Sequence, residues 1–225
     1  MNDIKIDKII RSRRKTIALV ITQDASLVVR APFTTSLDYI NKLANKKRLW
    51  IKKKQEFLRE KYQKLSHKEY VNGEGFLYLG ETYKLEIVKD LKCPVVLENT
   101  LKISEKLLPD AKQYLIDWYR KQAFIKISER VDWYAKIAGF TYKSIKITDA
   151  KKRWGSCSSK GNLNFSWRLI MAPLKVVDYV VVHELAHLEE KNHSKRFWDK
   201  VKILLSDYID RRNWIRDNGY ILTIG

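Results

Sequence analysis

The chain has 225 residues, with 45 Lys and Arg against 26 Asp and Glu, and its formal net charge of +19 favours anionic partners or describes a solvated lysine-rich surface. Its length suffices for one large or two small domains, and 7 Trp, 12 Tyr and 7 Phe exclude a disordered chain. No apolar run reaches the roughly 18 residues of a membrane helix, the first residues lack a signal-peptide core, and Cys93 and Cys157 form no disulfide framework, so a soluble, cytoplasmic protein is expected. In chain order, residues 4–31 read as short strands: Ile4, Ile6 and Ile9, then Ile17, Leu19 and Ile21, then Leu27 to Val29, with turns at 11–15 and 23–26 and a stop at Pro32. Ser36 then N-caps one long helix whose apolar positions Leu37, Ile40, Leu43, Ala44, Trp50, Ile51, Phe57, Leu58 and Leu65 share a face. Its other faces carry ten lysines and arginines from Lys42 to Lys64.

Gly73 and Gly75 break the pattern, and residues 76–88 read as a hairpin turning near Gly80 and Glu81. Short strands follow at 95–97 and 101–103. Pro109 and Asp110 open a second long helix to about residue 138, with Leu115, Trp118, Tyr119, Phe124, Ile127, Val131, Tyr134 and Ile137 inward and Gly139 after its end. A strand at 144–148 precedes a hairpin with arms at 153–157 and 162–169. In the second arm Leu163, Phe165, Trp167 and Leu169 alternate with Asn162, Asn164, Ser166 and Arg168. Pro173 begins a further helix, and helical segments fill the remainder. The expected fold class is α+β, in two parts that form one continuous body or two: a basic, strand-rich region with a long helix at 1–105, and a zincin-like hydrolase core at 106–225. That core has a small antiparallel sheet and an active-site helix.

Three of the four histidines fall within eleven residues, as His-Glu-Leu-Ala-His-Leu-Glu-Glu-Lys-Asn-His from His183 to His193. On a helix His183 and His187 lie about 40° apart and about 6 Å along the axis, so both imidazoles reach one ion. Glu184 lies about 100° round, beside the open metal position, where it can take a proton from a water acidified by zinc. No glutamate follows Glu190, so the third ligand comes from His193, Asp199, Asp207, Asp210 or Asp217, and His193 is the best placed. On an unbroken helix His193 points away, so the helix must end before it. Lys191-Asn192 is the expected end, with Asn192 left-handed and Ser194 capping the next helix over Phe197 and Trp198. Glu190 replaces the Gly of the longer metzincin pattern and the only internal Met, Met171, precedes the motif, which excludes a metzincin.

Arg153-Trp154-Gly155-Ser156-Cys157, Asn164 to Leu169, Pro173, the 183–188 segment and Asn192-His193-Ser194 with Phe197-Trp198 together resemble the YgjP-like metallopeptidase family, related to the SprT and Spartan-type proteases. The resemblance is dense over about 150–200. It implies a zinc-dependent peptidase with His183, His187 and His193 as ligands of one Zn2+ and Glu184 as catalyst. Spartan-type relatives cleave proteins crosslinked to DNA, and some YgjP-like members are described as nucleoside triphosphate pyrophosphatases.

The main expectation is therefore hydrolysis of a peptide or protein substrate. The alternatives are a nucleoside triphosphate pyrophosphohydrolase at the same site, and a nucleic-acid module with a structural zinc, which would need four protein ligands. The 162–169 arm is expected to pair with a peptide as an edge strand, offering Asn164, Ser166 and Arg168, with Arg153 nearby. Cys157 reads as a small buried thiol, Trp154 and Trp167 as core, and His67 as surface.

Overall fold

The computed structural model describes residues 4–22, 24–63 and 68–224. They fall into two compact units, divided between residues 67 and 68. The expected boundary near residue 105 thus lies at 67/68. The reason is burial: Phe76, Leu85, Leu101 and Ile103 share one core with Leu115, Tyr119 and Val181, so the 75–104 strands belong with the later helices. Six α-helices and three small sheets are present among the described residues, an α+β architecture. None of these helices is long and apolar enough to cross a membrane.

In the first unit β1 (Lys8–Ser12), β2 (Ala18–Ile21) and β3 (Leu27–Pro32) form a sheet in the order β1-β3-β2, with β1 parallel and β2 antiparallel to β3. Leu27, Val29 and Ala31, two residues apart on β3, are fully buried against Ile40, Ala44 and Ile51. Ser36 caps α1 (Leu37–Lys46) as expected, its Oγ accepting the Tyr39 N–H at 3.2 Å. The single long helix is however two: the backbone leaves helical geometry at Lys47 (φ −98°, ψ 14°) before α2 (Arg48–Gln63). The apolar stripe is accordingly narrower, with Ile40, Ala44, Ile51 and Leu58 buried and Leu37, Trp50 and Phe57 exposed. Leu65, Lys64 and His67 lie outside the described residues.

In the second unit the four-stranded sheet runs β4-β5-β7-β6, from β4 (Gly75–Tyr78), β5 (Glu81–Val88), β6 (Val95–Leu97) and β7 (Leu101–Ser104). The β4–β5 turn is Leu79-Gly80, with positive φ at both residues, the geometry that matches strand twist in a two-residue hairpin. A Cβ on Gly80 would stand 2.9 Å from Pro173, and the Leu79 and Gly80 N–H groups donate to Ile170 and Met171 at 2.8 and 3.2 Å. The hairpin tip therefore braces the segment that launches the histidine-bearing helix. α3 (Ala111–Ala138) begins after a 3-10 stretch that contains Pro109, and ends at left-handed Gly139. It buries Leu115, Trp118, Tyr119, Ile127, Val131 and Tyr134 but exposes Phe124 and Ile137.

β8 (Ser144–Thr148), β9 (Gly155–Cys157) and β10 (Asn162–Ser166) form a sheet in the order β8-β10-β9. It is mixed rather than antiparallel, because β10 pairs parallel with β8 and antiparallel with β9. The alternating arm stops at Ser166. Trp167 to Met171 is a 3-10 segment burying Trp167, Leu169, Ile170 and Met171, three of them consecutive, which a two-residue period does not allow. α4 (Leu174–Ala186), α5 (Lys195–Leu204) and α6 (Tyr208–Asn218) complete the unit.

α4 is buried on nearly all sides, including Asp178. Arg130 of α3 grips Asp178 through Nε at 2.6 Å and Nη2 at 3.1 Å, with Arg211 of α6 at 4.0 Å. The Asp178 carboxylate and the Arg130 guanidinium are 10% and 17% exposed, so removing the acid strands a desolvated cation. Asp178→Ala is expected to destabilise the fold by about 3–5 kcal/mol. Denaturant unfolding checks this directly.

Candidate metal centre

His183 sits on the last turn of α4 and His187 is its C-cap residue, with helical φ −69° and ψ −12°. The helix thus ends about four residues earlier than expected. Asn192 is not among the described residues with positive φ. The end is made instead by tightening: Leu188, Glu189 and Glu190 N–H groups return to Leu185 and Ala186, and Lys191 Nζ caps the His187 and Leu188 carbonyls at 2.9 and 3.1 Å. Ser194 caps α5 as expected, accepting the Phe197 N–H at 3.4 Å. Between these two helix ends the chain turns and returns His193 to the other two histidines.

One nitrogen from each of His183, His187 and His193 lies within 4.8 Å of the others. His193 Nε2 and His183 Nε2 stand 3.0 Å apart. Two imidazole lone pairs facing each other at that distance repel unless a proton or a cation lies between them. His187 Nδ1 is 2.9 Å from the Glu190 carbonyl, which can only accept, so Nδ1 carries the proton and Nε2 is left as an electron-pair donor. Burial first, then the His187 and His193 rings, push His183 down to about 3, and burial likewise lowers His193, which keeps both rings neutral. Three imidazoles, with no fourth His, Cys, Asp or Glu joining the cluster among the described residues, fit a divalent metal with an open position. Phe197, fully buried, has its ring centroid 4.6–4.9 Å from all three rings and gives them an apolar floor.

Glu184 is only 5% exposed. Burial raises its carboxyl to about 7, against the opposing pull of Arg153 and a hydrogen bond from the Cys157 backbone N–H. Gly155 explains how the carboxylate fits: a Cβ there would lie 2.6 Å from Glu184 Cγ and Oε1. The Arg153-to-Cys157 motif is thus the wall behind Glu184, supplying a cation, an absent side chain and an N–H. Sequence reasoning missed these roles of Gly155 and Cys157. The available signal was a glycine inside a strand, which marks close approach of another group. Gly155→Ala is expected to displace the carboxylate and lower kcat/KM about 100-fold at unchanged metal content, checked by steady-state kinetics with elemental analysis.

Of the four residues expected to bind substrate, only Arg153 lies beside Glu184. Ser166 is buried, its Oγ donating to the Ala150 carbonyl at 2.8 Å. Arg168 is held by Asp149 at 2.8 Å and stacked on Trp167, and Asn164 donates to Ser156 Oγ at 3.3 Å. β10 is also paired on both edges, parallel to β8 and antiparallel to β9, and is no edge strand. The edge strands are β8 and β9, and β9 is the one beside Glu184. Cys157 is half-buried, its thiol pushed up by burial, and lies outside the histidine cluster. Trp167 is core, and Trp154 packs against it.

The profile of the YgjP-like metallopeptidase domain matches residues 15–218. Among solved structures, the metallopeptidase zymogen abylysin of Pyrococcus abyssi aligns at 19% identity and TM-score 0.38, covering 41% of this chain and 95% of that one. The zymogen jannalysin of Methanocaldococcus jannaschii aligns at 18% identity and TM-score 0.37, covering 40% and 94%. No curated protein matches the chain.

Proposed function

Because the chain belongs to the YgjP-like metallopeptidase family, we propose that it hydrolyses peptide bonds at one zinc ion held by His183, His187 and His193, with Glu184 as general base. The observation that carries this reading is the convergence of three imidazole nitrogens within 4.8 Å beside a buried glutamate. Zinc in that position supplies Lewis acidity, polarising the scissile carbonyl and acidifying water. Glu184, buried beside the three imidazoles, is placed to accept a proton from the attacking water and to return it to the leaving amine. Gly155 and the Cys157 N–H hold that carboxylate in one place.

The substrate backbone is assigned to the outer edge of β9. Ser166 N–H donates to the Trp154 carbonyl and Ser158 N–H to the Asn162 carbonyl, both at 2.9 Å. By strand alternation, Gly155 and Cys157 therefore direct their main-chain groups away from β10, toward Glu184. A peptide pairing there would run past the carboxylate, and the added-strand mode supplies affinity without demanding a particular sequence. The test is a peptide library and a nucleotide panel offered to zinc-loaded protein. Peptide cleavage that stops on chelation is the expected result. Pyrophosphate release from nucleoside triphosphates without peptide cleavage would overturn it.

A further inference from the structure

One cation beside the metal centre has no structural task. Arg212 of α6 is exposed, and among the described residues no carboxylate pairs with it. Its neighbours on the same helix differ. Arg211 is held by Asp207 at 2.8 Å and by the Lys175 carbonyl at 3.0 Å, and Arg216 by Asp217 at 2.9 Å. The Arg212 guanidinium instead lies 4.8 Å over the Trp198 ring. Trp198 in turn stacks on His193 (5.6 Å, 23°) and on Tyr208 (5.3 Å, 18°). A guanidinium laid on an indole is fixed in its plane while its edge N–H groups stay free, the form that takes a carboxylate in two parallel hydrogen bonds.

Through Trp198, which stacks on His193, this cation lies at the margin of the histidine cluster. Tyr179 stands one helical turn before His183, with ring centroids 5.8 Å apart. Glu184 is the acid there, with Arg153 beside it.

We propose that Arg212 is a specificity residue that binds a substrate carboxylate flanking the scissile bond, an acidic side chain or a free C-terminus, so that acidic peptides are the preferred substrates. This rests on the peptidase reading above. Because Arg212 lies over Trp198, one ring removed from His193, it reads a group beside the reacting carbonyl and not the carbonyl itself.

The test uses the full-length protein and paired peptides, acidic or neutral at one position, with free or amidated C-termini. Arg212→Ala is expected to lower the acidic-to-neutral ratio of kcat/KM by roughly 10- to 100-fold, mostly through KM. Arg212→Lys should recover part of it, since a point charge replaces the fork. Arg216→Ala, which removes the same charge from the same helix, should leave the ratio unchanged. Calorimetric binding of the uncleaved acidic peptide to Glu184→Gln protein, with and without Arg212→Ala, supplies a readout independent of turnover. Equal loss for acidic and neutral peptides, or unaltered binding in the double variant, overturns the proposal. Arg212-dependent binding of the acidic peptide without cleavage by zinc-loaded wild type would uphold it and sink the peptidase reading alone. Tighter Arg212-dependent binding of a nucleoside triphosphate than of any peptide overturns it.

Discussion

Glu184→Gln is expected to lower kcat for peptide hydrolysis by about 10²- to 10⁴-fold, the usual contribution of a positioned general base. The substitution is nearly isosteric. It keeps the space opened by Gly155, and its amide oxygen can still accept the Cys157 N–H, so loss of rate reports on the proton acceptor and not on the fold. The same variant makes a second, opposite forecast in metal-free protein. The Glu184 carboxyl titrates near 7 when folded and near 4.5 when free. Its folded value is raised, so the folded state holds the proton more tightly, and stability falls as pH rises from about 4.5 to 7. Above that window the buried charge costs about 3 kcal/mol, which glutamine does not incur. Metal-free Glu184→Gln should therefore be more stable than wild type above pH 7, with the gap closing as pH falls toward 4.5. Denaturant unfolding across this range checks the sign, and undiminished peptide hydrolysis by the zinc-loaded variant would show that another group takes the proton.

Removing the metal is expected to have the second largest effect. Chelation should abolish hydrolysis and lower thermal stability, because the three imidazoles converge in the folded chain and are scattered in the unfolded one. At free zinc about 1,000-fold above its dissociation constant, binding stabilises by about 4 kcal/mol, or roughly 8–16 °C for a chain of this size. Zinc should restore both properties. His193→Ala should leave the capped ends of α4 and α5 intact, since Ser194 and Lys191 make those caps, yet weaken zinc binding by more than about 100-fold. Loss of a mere supporting hydrogen bond around a metal site already costs 10- to 100-fold, and here a ligand is removed. Elemental analysis and competition with a chelating dye measure it. Full zinc content in the variant would remove His193 from the ligand set.

Much of this was legible from local pattern. Ser36 and Ser194 were readable as caps because the capping hydroxyl and the N–H it satisfies are three residues apart. The hairpin at 76–88 and the strand at Leu27 to Val29 were readable from local pattern too, although the turn falls at Leu79-Gly80 and not at Gly80-Glu81, and the buried alternation runs on to Ala31. The histidine spacing carried the need for a chain bend before His193, although the bend is made by Lys191 capping an earlier helix end and not by a left-handed Asn192. The break at Lys47 was invisible, since an apolar stripe with helical spacing continues across it.

By itself, then, the sequence determined the cluster of His183, His187 and His193 with Glu184, because those residues lie within eleven positions of one another and local geometry nearly suffices to place them. Only the tertiary structure decided that β10 is an inner strand, that Gly155 and Cys157 back Glu184 from 29 and 27 positions away, and that Arg212 comes to rest on Trp198. Those contacts come from how sheets and helices pack, and packing depends on surfaces gathered from the whole unit, which no periodicity along a single segment encodes.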